Sequence, residues 1–357
     1  MYIHIPFCSS KCPYCDFYSL KYSDAEADKY TKALTKRIES YKNLHVSSVY
    51  FGGGTPGIMG TQRIVALIST IKNTLLLEND AEVTLELNPE SADKLDFAKL
   101  KKAGVNRLSI GLQSADRQEL KYLGRLHSAS LAEQTVTRAQ KEGFDNISLD
   151  IMLGTSHQTK QSLKSTIDFC AALNVQHISA YILKIEENTP YHTHREKFVF
   201  PNEDEQAELY EFAVTELEKA GFYQYEISNF CKDGYYSRHN MLYWNCDEYI
   251  GIGPSAHSFF HGKRFYTPRS LEDFYNDKTV SDGDGGGEEE YAMLRLRLKK
   301  GLNEADYFNR FGKDIPKEYY TRASQIKEYA NVYKDGISLT TKGFLLSNSI
   351  IAYLLYG

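Results

Sequence analysis

The sequence predicts a partial (β/α)6 barrel followed by a small α+β unit of the winged-helix type. Six short runs rich in β-branched residues recur in the first half of the chain, and each is followed by a stretch with helical periodicity. Alternation at this spacing produces parallel strands joined by right-handed crossovers. Polar, glycine-rich or reactive residues follow every strand, and the C-terminal strand ends carry the site in barrels of this kind. A flavodoxin-like doubly wound sheet is the alternative.

The elements of the predicted barrel alternate from the N-terminus onward. The predicted strands are Tyr2–Pro6, Ser47–Phe51, Glu82–Leu87, Arg107–Ile110, Ile147–Met152 and Ile178–Leu183. The predicted helices are Asp24–Tyr41, Gln62–Leu77, Ala92–Ala103, Leu131–Glu142, Lys160–Leu173 and Asp204–Ala220. The residues that follow the strands are Cys8, Gly52–Gly54, Asn88, Gln113, Gly154 and Lys184. We expect these residues to meet at one edge of the barrel.

The strand–helix rhythm ends near Pro201, and the rest of the chain predicts two further regions. We expect the barrel to occupy residues 1–200, a connecting region residues 201–285 and the winged-helix-like domain residues 286–357. The segment Ser281–Glu290 (SDGDGGGEEE) has the composition of an exposed linker. The elements predicted after it are helices at Tyr291–Lys299, Ala305–Phe311, Ile315–Tyr329 and Lys342–Leu355, and a strand at Ile337–Thr340.

Composition and charge narrow the functional classes. The 357 residues carry a net charge of −5, which argues against non-specific electrostatic binding to nucleic acid. No apolar run approaches the roughly 20 residues needed to cross a bilayer. The N-terminus does not show the basic and apolar segments of a signal peptide. We therefore expect a cytoplasmic protein.

Three of the six cysteines lie close together, at Cys8, Cys12 and Cys15. A tight cluster in a long chain indicates metal or redox chemistry rather than a disulfide framework, and thiolates suit zinc and iron–sulfur clusters. A closed zinc site needs four ligands, and His4 is the nearby candidate for the fourth. Its place in the alternation of the first strand favours a packed residue instead. Three thiolates on a four-iron cluster leave one iron open for the amine and carboxylate of a bound molecule.

The sequence resembles one branch of the radical S-adenosylmethionine (SAM) superfamily along almost its whole length. This branch contains the anaerobic coproporphyrinogen III dehydrogenases and the HemW-type heme chaperones. The matching stretches are YIHIPFCSSKCPYCDFYS (Tyr2–Ser19), YFGGGTP (Tyr50–Pro56), ELNPE (Glu86–Glu90), GVNRLSIGLQS (Gly104–Ser114), GRLHS (Gly124–Ser128), LDIMLG (Leu149–Gly154), HNMLYW and YIGIGPSAHSF. The resemblance implies a [4Fe–4S] cluster on Cys8, Cys12 and Cys15, with SAM on the fourth iron. Electron transfer from the cluster could then cleave SAM to a 5′-deoxyadenosyl radical.

The resemblance also implies a set of residues that contact SAM. They are Tyr2, Tyr14, Gly53, Gly54, Thr55, Glu86, Gln113, Arg125 and Asp150. Three consecutive glycines let the backbone approach a ligand closely, and their N–H groups suit its carboxylate. Glu86 and Asp150 lie on predicted strands, where an unpaired buried charge is costly. A ligand hydroxyl, an ammonium or Arg125 would satisfy these carboxylates, and a structural ion pair is the alternative.

Two departures from the dehydrogenases favour the chaperone branch. Phe17 stands where the dehydrogenases carry a further cysteine, two residues after the third. The chain also begins almost directly at the first strand, whereas the dehydrogenases have a longer N-terminal segment. A third departure lies in the turn Gly154–Thr159 (GTSHQT), where Ser156 and His157 replace the proline and glycine of a GLPGQT-like turn. The geometry of that loop is therefore open.

The segment His239–Trp244 (HNMLYW) matches the HNxxYW motif of the chaperone branch. An imidazole nitrogen is a natural axial ligand of heme iron, and aromatic rings pack on a porphyrin face. We therefore predict His239 as the heme ligand, with His257 and His261 as rivals. Trp244, the one tryptophan, has a structural alternative as an anchor of the C-terminal region.

Three functions remain open from the sequence. The first is a heme-binding protein that passes heme to an acceptor, with the cluster and SAM in a regulatory or assembly role. The second is oxidative decarboxylation of the propionates of coproporphyrinogen III. The third is a nucleic-acid-binding regulator, although the basic residues of the C-terminal unit also suit a solvated helix face; they are Arg295, Arg297, Lys299 and Lys300. Phe17, the N-terminal length and His239–Trp244 favour the first function. The sequence leaves open whether SAM is cleaved, the oligomeric state and the identity of the heme acceptor. Peripheral contact with membrane proteins is compatible with it.

Overall fold

The computed structural model describes all 357 residues and contains one large sheet at its centre. The strands of the first half are β1 (Tyr2–Ile5), β2 (Phe7–Cys8), β3 (Leu20–Lys21), β4 (His45–Gly53), β5 (Leu76–Leu87), β6 (Arg107–Gln113), β7 (Ile147–Leu153) and β8 (His177–Ile182). Six of them, β1, β4, β5, β6, β7 and β8, lie side by side in this order and run parallel. A flavodoxin-like sheet reverses its strand order at a switch point, whereas this order does not reverse. The predicted partial barrel is therefore confirmed.

Helices connect these strands. They are α1 (Asp24–Glu39), α2 (Gly60–Thr74), α3 (Pro89–Ala92), α4 (Phe97–Ala103), α5 (Arg117–Tyr122), α6 (Ala129–Lys141), α7 (Lys160–Ala172), α8 (Pro190–Thr193) and α9 (Glu203–Lys219). The helix predicted at Ala92–Ala103 is split, because the Asp96 side chain accepts from the Lys99 amide and starts a new helix. The helix predicted to end at Leu77 stops at Thr74, because Leu76 and Leu77 pair with the start of β4.

The second half adds short strands and helices around the barrel. The strands are β9 (Tyr223–Gln224), β10 (Asn229–Cys231), β11 (Gly251–Ile252), β12 (His257–Phe260), β13 (Lys263–Tyr266), β14 (Val280–Asp284), β15 (Leu302–Asn303), β16 (Ala330–Tyr333) and β17 (Gly336–Leu339). The helices are α10 (Arg238–Trp244), α11 (Leu271–Tyr275), α12 (Glu288–Arg295), α13 (Glu304–Phe311), α14 (Lys317–Gln325), α15 (Thr341–Leu345) and α16 (Ser347–Tyr356). Strand β11 extends the central sheet beside β1, and β10 and β9 extend it antiparallel beyond β8.

The structure corrects the prediction of a linker at Ser281–Glu290. Strand β14 occupies the first part of that segment and pairs with β13, and α12 begins at Glu288. An edge strand with both faces in water lacks the apolar alternation that identifies a strand in sequence. The end of the chain combines helices with the three-stranded antiparallel sheet β15–β17–β16. One continuous apolar core includes residues from Met1 to Leu354, so the bounds of separate domains remain a prediction.

The inside of the barrel is polar, and the layer around it is apolar. In β6, Leu108, Ile110 and Leu112 belong to the apolar core. Arg107 and Ser109 alternate with them, so they face the opposite side, the barrel lumen. Ser109 there donates a hydrogen bond to Asp150 of β7. The strand sequences therefore build a barrel whose lumen carries the chemistry. None of the helices combines the length and the apolar composition that a membrane crossing needs.

Candidate cofactor site in the barrel

The three clustered cysteines lie on one loop that leaves the barrel after β1. Cys8 ends β2, and the Cys15 amide donates to the Cys12 carbonyl at 3.1 Å, which makes a turn of the intervening residues. All three side chains are partly buried and free of disulfides. Burial raises the pKa of the Cys8 and Cys15 thiols, and the neighbouring thiols add to the effect.

The loop supplies the soft donors of a [4Fe–4S] cluster, although the three thiols do not form a closed metal-ligating group in this structure. Thiol ligands lose their protons when they bind a metal. The donor set fits the cluster by its chemistry. His4 does not offer a fourth ligand. Its Nε2 donates to the Tyr18 carbonyl at 3.0 Å, and its Nδ1 accepts from the Tyr2 hydroxyl at 3.0 Å.

A chain of polar contacts connects the cysteine loop to two other strand ends and to the loop after α5. The Thr55 hydroxyl donates to Cys8 Sγ at 3.6 Å, and Asn88 Nδ2 donates to the Thr55 hydroxyl at 3.1 Å. The other atom of the Asn88 amide, Oδ1, accepts from Arg125 at 2.9 Å. The Arg125 guanidinium lies 5.8 Å from the centre of the Tyr14 ring, and its Nε is buried without a partner. A buried, unpaired donor beside the cysteine loop suits an anionic group of a ligand.

The GGGTP turn packs closely against β1 and β2. A Cβ atom at Gly53, where φ is +112°, would lie 2.6 Å from the His4 ring, and one at Gly54 would lie 2.6 Å from the Phe7 carbonyl oxygen. The amides of Gly54 and Thr55 donate to the Ile5 and Phe7 carbonyls. This corrects the expectation that the amides of the turn are free to bind a ligand carboxylate. The glycines instead allow the close approach of two strands.

Glu86 of β5 stands in the lumen beneath this turn. Its carboxylate accepts from the Tyr50 hydroxyl at 2.6 Å and from the Gly53 amide at 3.3 Å. Removal from water and, to a lesser extent, the nearby Asp150 carboxylate raise the pKa of Glu86 to about 7, against the effect of the two hydrogen bonds. A carboxyl that is close to half ionised at neutral pH responds strongly to a bound cation or hydroxyl.

Asp150 of β7 is the second carboxylate of the lumen. It accepts from the Ser109 hydroxyl at 3.0 Å, and removal from water raises its pKa. Arg125 makes its hydrogen bond to Asn88 rather than to Glu86 or Asp150. Tyrosine and serine hydroxyls therefore satisfy the two carboxylates, in place of the expected arginine. Gln113 at the end of β6 is buried and has a φ of +68°.

His239 lies at the opposite end of the barrel from the cysteine loop. Its ring is 1% exposed, with Nδ1 2.8 Å from the Ser48 hydroxyl and Nε2 2.8 Å from the Tyr243 hydroxyl. Burial lowers the pKa of His239 well below its ordinary value, so the ring is neutral. The Glu82 carboxylate accepts from the backbone amides of Arg238 and His239, both at 3.0 Å. We call Ser48, Glu82, Ser148, His177 and His239 the barrel floor.

The rival histidines and the tryptophan lie elsewhere. His257 stacks on Tyr266 with ring centres 5.0 Å apart, and both His257 and His261 are exposed. The Trp244 Nε1 is buried without a hydrogen-bond partner.

An aromatic cluster that the sequence does not reveal holds the cysteine loop in place. The Tyr191 amide donates to the Pro13 carbonyl at 3.0 Å, and its hydroxyl donates to the Tyr122 carbonyl at 2.8 Å. Phe198 and Phe200 pack on the Tyr191 ring with centres 4.5 and 5.0 Å away. The aromatic spacing of Tyr191, Phe198 and Phe200 was the available signal, but it does not reveal a partner loop so distant in sequence.

The departure at Gly154–Thr159 leaves the loop well formed. Ser156 is fully buried, and its hydroxyl accepts from the Val199 amide at 3.1 Å. His157 adopts a left-handed φ of +63° and donates its amide to the Val199 carbonyl at 3.0 Å. Its ring stacks on Tyr122 with centres 4.9 Å apart. A histidine thus occupies a conformation that favours glycine, and side-chain stacking compensates part of the cost.

Comparison with known proteins agrees with this fold. Residues 2–170 match the family model of the Radical SAM superfamily, so the barrel and its cysteine loop define a radical SAM protein. Membership in this superfamily implies a [4Fe–4S] cluster and SAM. The heme chaperone HemW of Lactococcus lactis is 31% identical over 98% of this chain and 95% of its own length. The HemW of Bacillus subtilis is 32% identical over 99% of this chain and 98% of its own length. The chain belongs to the HemW branch of the radical SAM superfamily.

A solved structure confirms the fold independently. The coproporphyrinogen III oxidase HemN of Escherichia coli, a radical SAM enzyme, superposes with a TM-score of 0.83 over 99% of this chain and 89% of its own. The two sequences are 20% identical, so this likeness concerns the fold alone.

Proposed function

We propose that the protein is a heme chaperone, which binds heme and transfers it to an acceptor protein. The observation that carries the proposal is the similarity to curated HemW proteins along nearly the full length of both chains. Phe17 in place of a fourth clustered cysteine and the HNMLYW segment support the same branch. The proposal includes the cytoplasmic location expected from the sequence, which cell fractionation tests. It names no acceptor, and membrane proteins contacted peripherally are among the candidates.

In this proposal the cysteine loop and the upper lumen hold the cluster and SAM. Cys8, Cys12 and Cys15 supply the cluster ligands. When bound, the reduced cluster supplies an electron that can cleave SAM to a 5′-deoxyadenosyl radical. The unpaired Arg125 Nε suits the carboxylate of SAM, and Glu86 and Asp150 suit its ammonium or its hydroxyls. The proposed contacts also include Tyr2, Tyr14, Gly53, Gly54, Thr55 and Gln113. The two glycines contribute by letting the turn pack closely, and not by offering free amides.

The residue that binds the heme iron is a separate question. The HNMLYW segment nominates His239, but both nitrogens of that ring already have partners in the barrel floor. Ligation by His239 would require α10 to leave the floor. His257 and His261 are the exposed alternatives.

An anaerobic heme titration of the cluster-reconstituted protein tests the function. We expect saturable binding of about one heme per chain, followed by transfer to an apo-heme protein added in excess. Absence of saturable binding would overturn the proposal. Conversion of coproporphyrinogen III to protoporphyrinogen IX would favour the decarboxylase instead, and product analysis of the same anaerobic samples measures it.

A further inference from the structure

The barrel floor contains two histidines with the same types of hydrogen-bond partner. His239 is bracketed by the Ser48 hydroxyl on Nδ1 and by the Tyr243 hydroxyl on Nε2, each at 2.8 Å. His177 is bracketed by the Ser148 hydroxyl on Nδ1 at 2.8 Å and by the Tyr225 hydroxyl on Nε2 at 2.9 Å. Both rings are at most 1% exposed. In both cases a serine and a tyrosine hydroxyl contact the two ring nitrogens of a buried histidine. The floor therefore contains buried histidines whose hydrogen bonds are satisfied.

The two histidines differ in what they pack against. The His239 ring stacks on Tyr50, with centres 5.0 Å apart and planes inclined by 26°, and it lies 6.4 Å from the Tyr2 ring. Tyr50 in turn donates its hydroxyl to Glu86 at 2.6 Å. His177 packs edge-on against Tyr225. Only His239 of this pair therefore contacts the group that orients the lumen carboxylate.

The surroundings of His239 also keep it from a large planar ligand. Iron in a porphyrin must approach a ring nitrogen along its lone pair, and the Tyr243 hydroxyl occupies that direction at Nε2. The helix that carries His239 is fixed by Glu82, whose carboxylate accepts two of its backbone amides, and by Ser237, whose hydroxyl accepts the Asn240 amide. Opening the site would break these bonds and leave a buried carboxylate without partners.

We propose that His239 is a positioning residue for SAM binding: its ring holds Tyr50, whose hydroxyl holds Glu86, and the heme iron is bound by a different residue. The inference rests on the proposed contact between Glu86 and SAM. It gives His239 and Tyr243 of α10 a structural task, which is to complete the floor beneath the bound cofactor.

The experiment compares His239→Phe, His239→Ala and the matched control His177→Ala in the full-length, anaerobically reconstituted protein. Phenylalanine keeps a flat ring against Tyr50 but cannot bind iron. We expect His239→Ala to weaken SAM binding about tenfold, the factor that corresponds to one hydrogen bond to a charged group. We expect His239→Phe to recover most of that loss and His177→Ala to change SAM affinity by less than about twofold. Equilibrium dialysis with SAM measures the affinity. Thermal unfolding is the control, and we expect both alanine variants to lose similar stability.

The heme absorbance of the same samples gives the decisive second measurement. We expect His239→Phe to bind as much heme as the native protein, with the same heme band. Loss of that band with unchanged SAM affinity would overturn the inference and identify His239 as the axial ligand. Equal weakening of SAM binding by His177→Ala and His239→Ala would also overturn it, because the effect would then be general damage to the floor.

Two further outcomes separate this inference from the proposed function. If His239→Ala does not fold, Tyr50→Phe tests the same connection between His239, Tyr50 and Glu86. This variant removes only the hydroxyl that donates a hydrogen bond to Glu86. SAM affinity unchanged in Tyr50→Phe would overturn the inference. A native protein that binds SAM but not heme would refute the heme chaperone, while the SAM measurements would still decide the role of His239.

Discussion

The cysteine loop and the two histidines of the floor differ in how far their surroundings are already hydrogen-bonded. At the cysteine end, three thiols lie partly exposed on a loop, and the Arg125 Nε is buried without a partner. At the floor, both nitrogens of His177 and of His239 are hydrogen-bonded. Unsatisfied groups gain by binding a ligand, whereas satisfied groups resist any change. The comparison teaches that histidine in a motif is not by itself a sign of an open site.

The largest expected effect is on the cysteine end. Cys12→Ala should reduce the iron bound after anaerobic reconstitution from about four atoms to nearly none, because two thiolates cannot hold the cluster. The same change should leave the stability of the apo-protein within about 0.5 kcal/mol, because the side chain is only partly buried. Iron analysis and urea unfolding measure the two quantities. Full iron content in this variant would refute the ligand assignment.

The floor should respond in the opposite way. Glu82→Ala removes the acceptor of two backbone amides at the start of α10. We expect the free energy of unfolding to fall by about 4 kcal/mol, since each hydrogen bond to a charged group contributes about 1.5–3 kcal/mol. Urea unfolding of the apo-protein measures it. Glu78→Ala is the matched control, because the Glu78 carboxylate makes an exposed ion pair with the Arg238 side chain at 3.5 Å. Its effect should stay below about 1 kcal/mol.

The pH dependence of stability tests the floor through Glu226, the neighbour of Tyr225, whose hydroxyl contacts the floor residue His177. Glu226 is fully buried, and burial raises its pKa from 4.5 to about 7. The folded state therefore binds this proton more tightly than the unfolded state. The contribution of Glu226 is fully present below pH 4.5 and is lost as the pH rises through 7.

Over that range we expect Glu226→Gln to gain about 3 kcal/mol of stability relative to the native protein. Urea unfolding at pH 4.5 and at pH 8 measures this difference between the two proteins. The exposed Glu78→Gln should show no such gain. An equal slope in all three proteins would show that Glu226 ionises normally.

The smallest effect should come from His157 near the cysteine end. His157→Gly relieves a left-handed φ of +63° but removes the ring stacked on Tyr122. The two terms nearly cancel, so we expect a change within about 1 kcal/mol. His157→Ala loses the stacking and keeps the strain, so it should be less stable than the glycine variant. The reverse order in thermal unfolding would show that φ at this position carries no strain.

Prediction from sequence succeeded where the signal is local or periodic. The six barrel strands alternate apolar and polar residues or form short apolar runs, so their existence and order could be predicted. Strand β14 escaped because both its faces are exposed and leave no alternation. Asp96 is a residue type that often caps a helix and so could have indicated the helix break. The apolar pattern on both sides of it predicted one continuous helix instead.

The candidate site divides in the same way. The spacing of Cys8, Cys12 and Cys15 could be recognised because all three ligands lie on one loop. The connection from Cys8 through Thr55 and Asn88 to Arg125 joins four distant segments, and no local pattern encodes it. The stacking of His239 on Tyr50 is another contact of this kind.

The sequence by itself determined the barrel and the cysteine loop, since strand periodicity and ligand spacing are properties of neighbouring residues. The resemblance of its motifs to those of known proteins indicated the HemW branch. Only the tertiary structure decided which polar groups are already satisfied. It placed the amides of the GGGTP turn against strand carbonyls and the His239 ring between Ser48 and Tyr243. Whether a side chain can bind a ligand depends on the hydrogen bonds it has already made, and those partners come from residues far away in the chain.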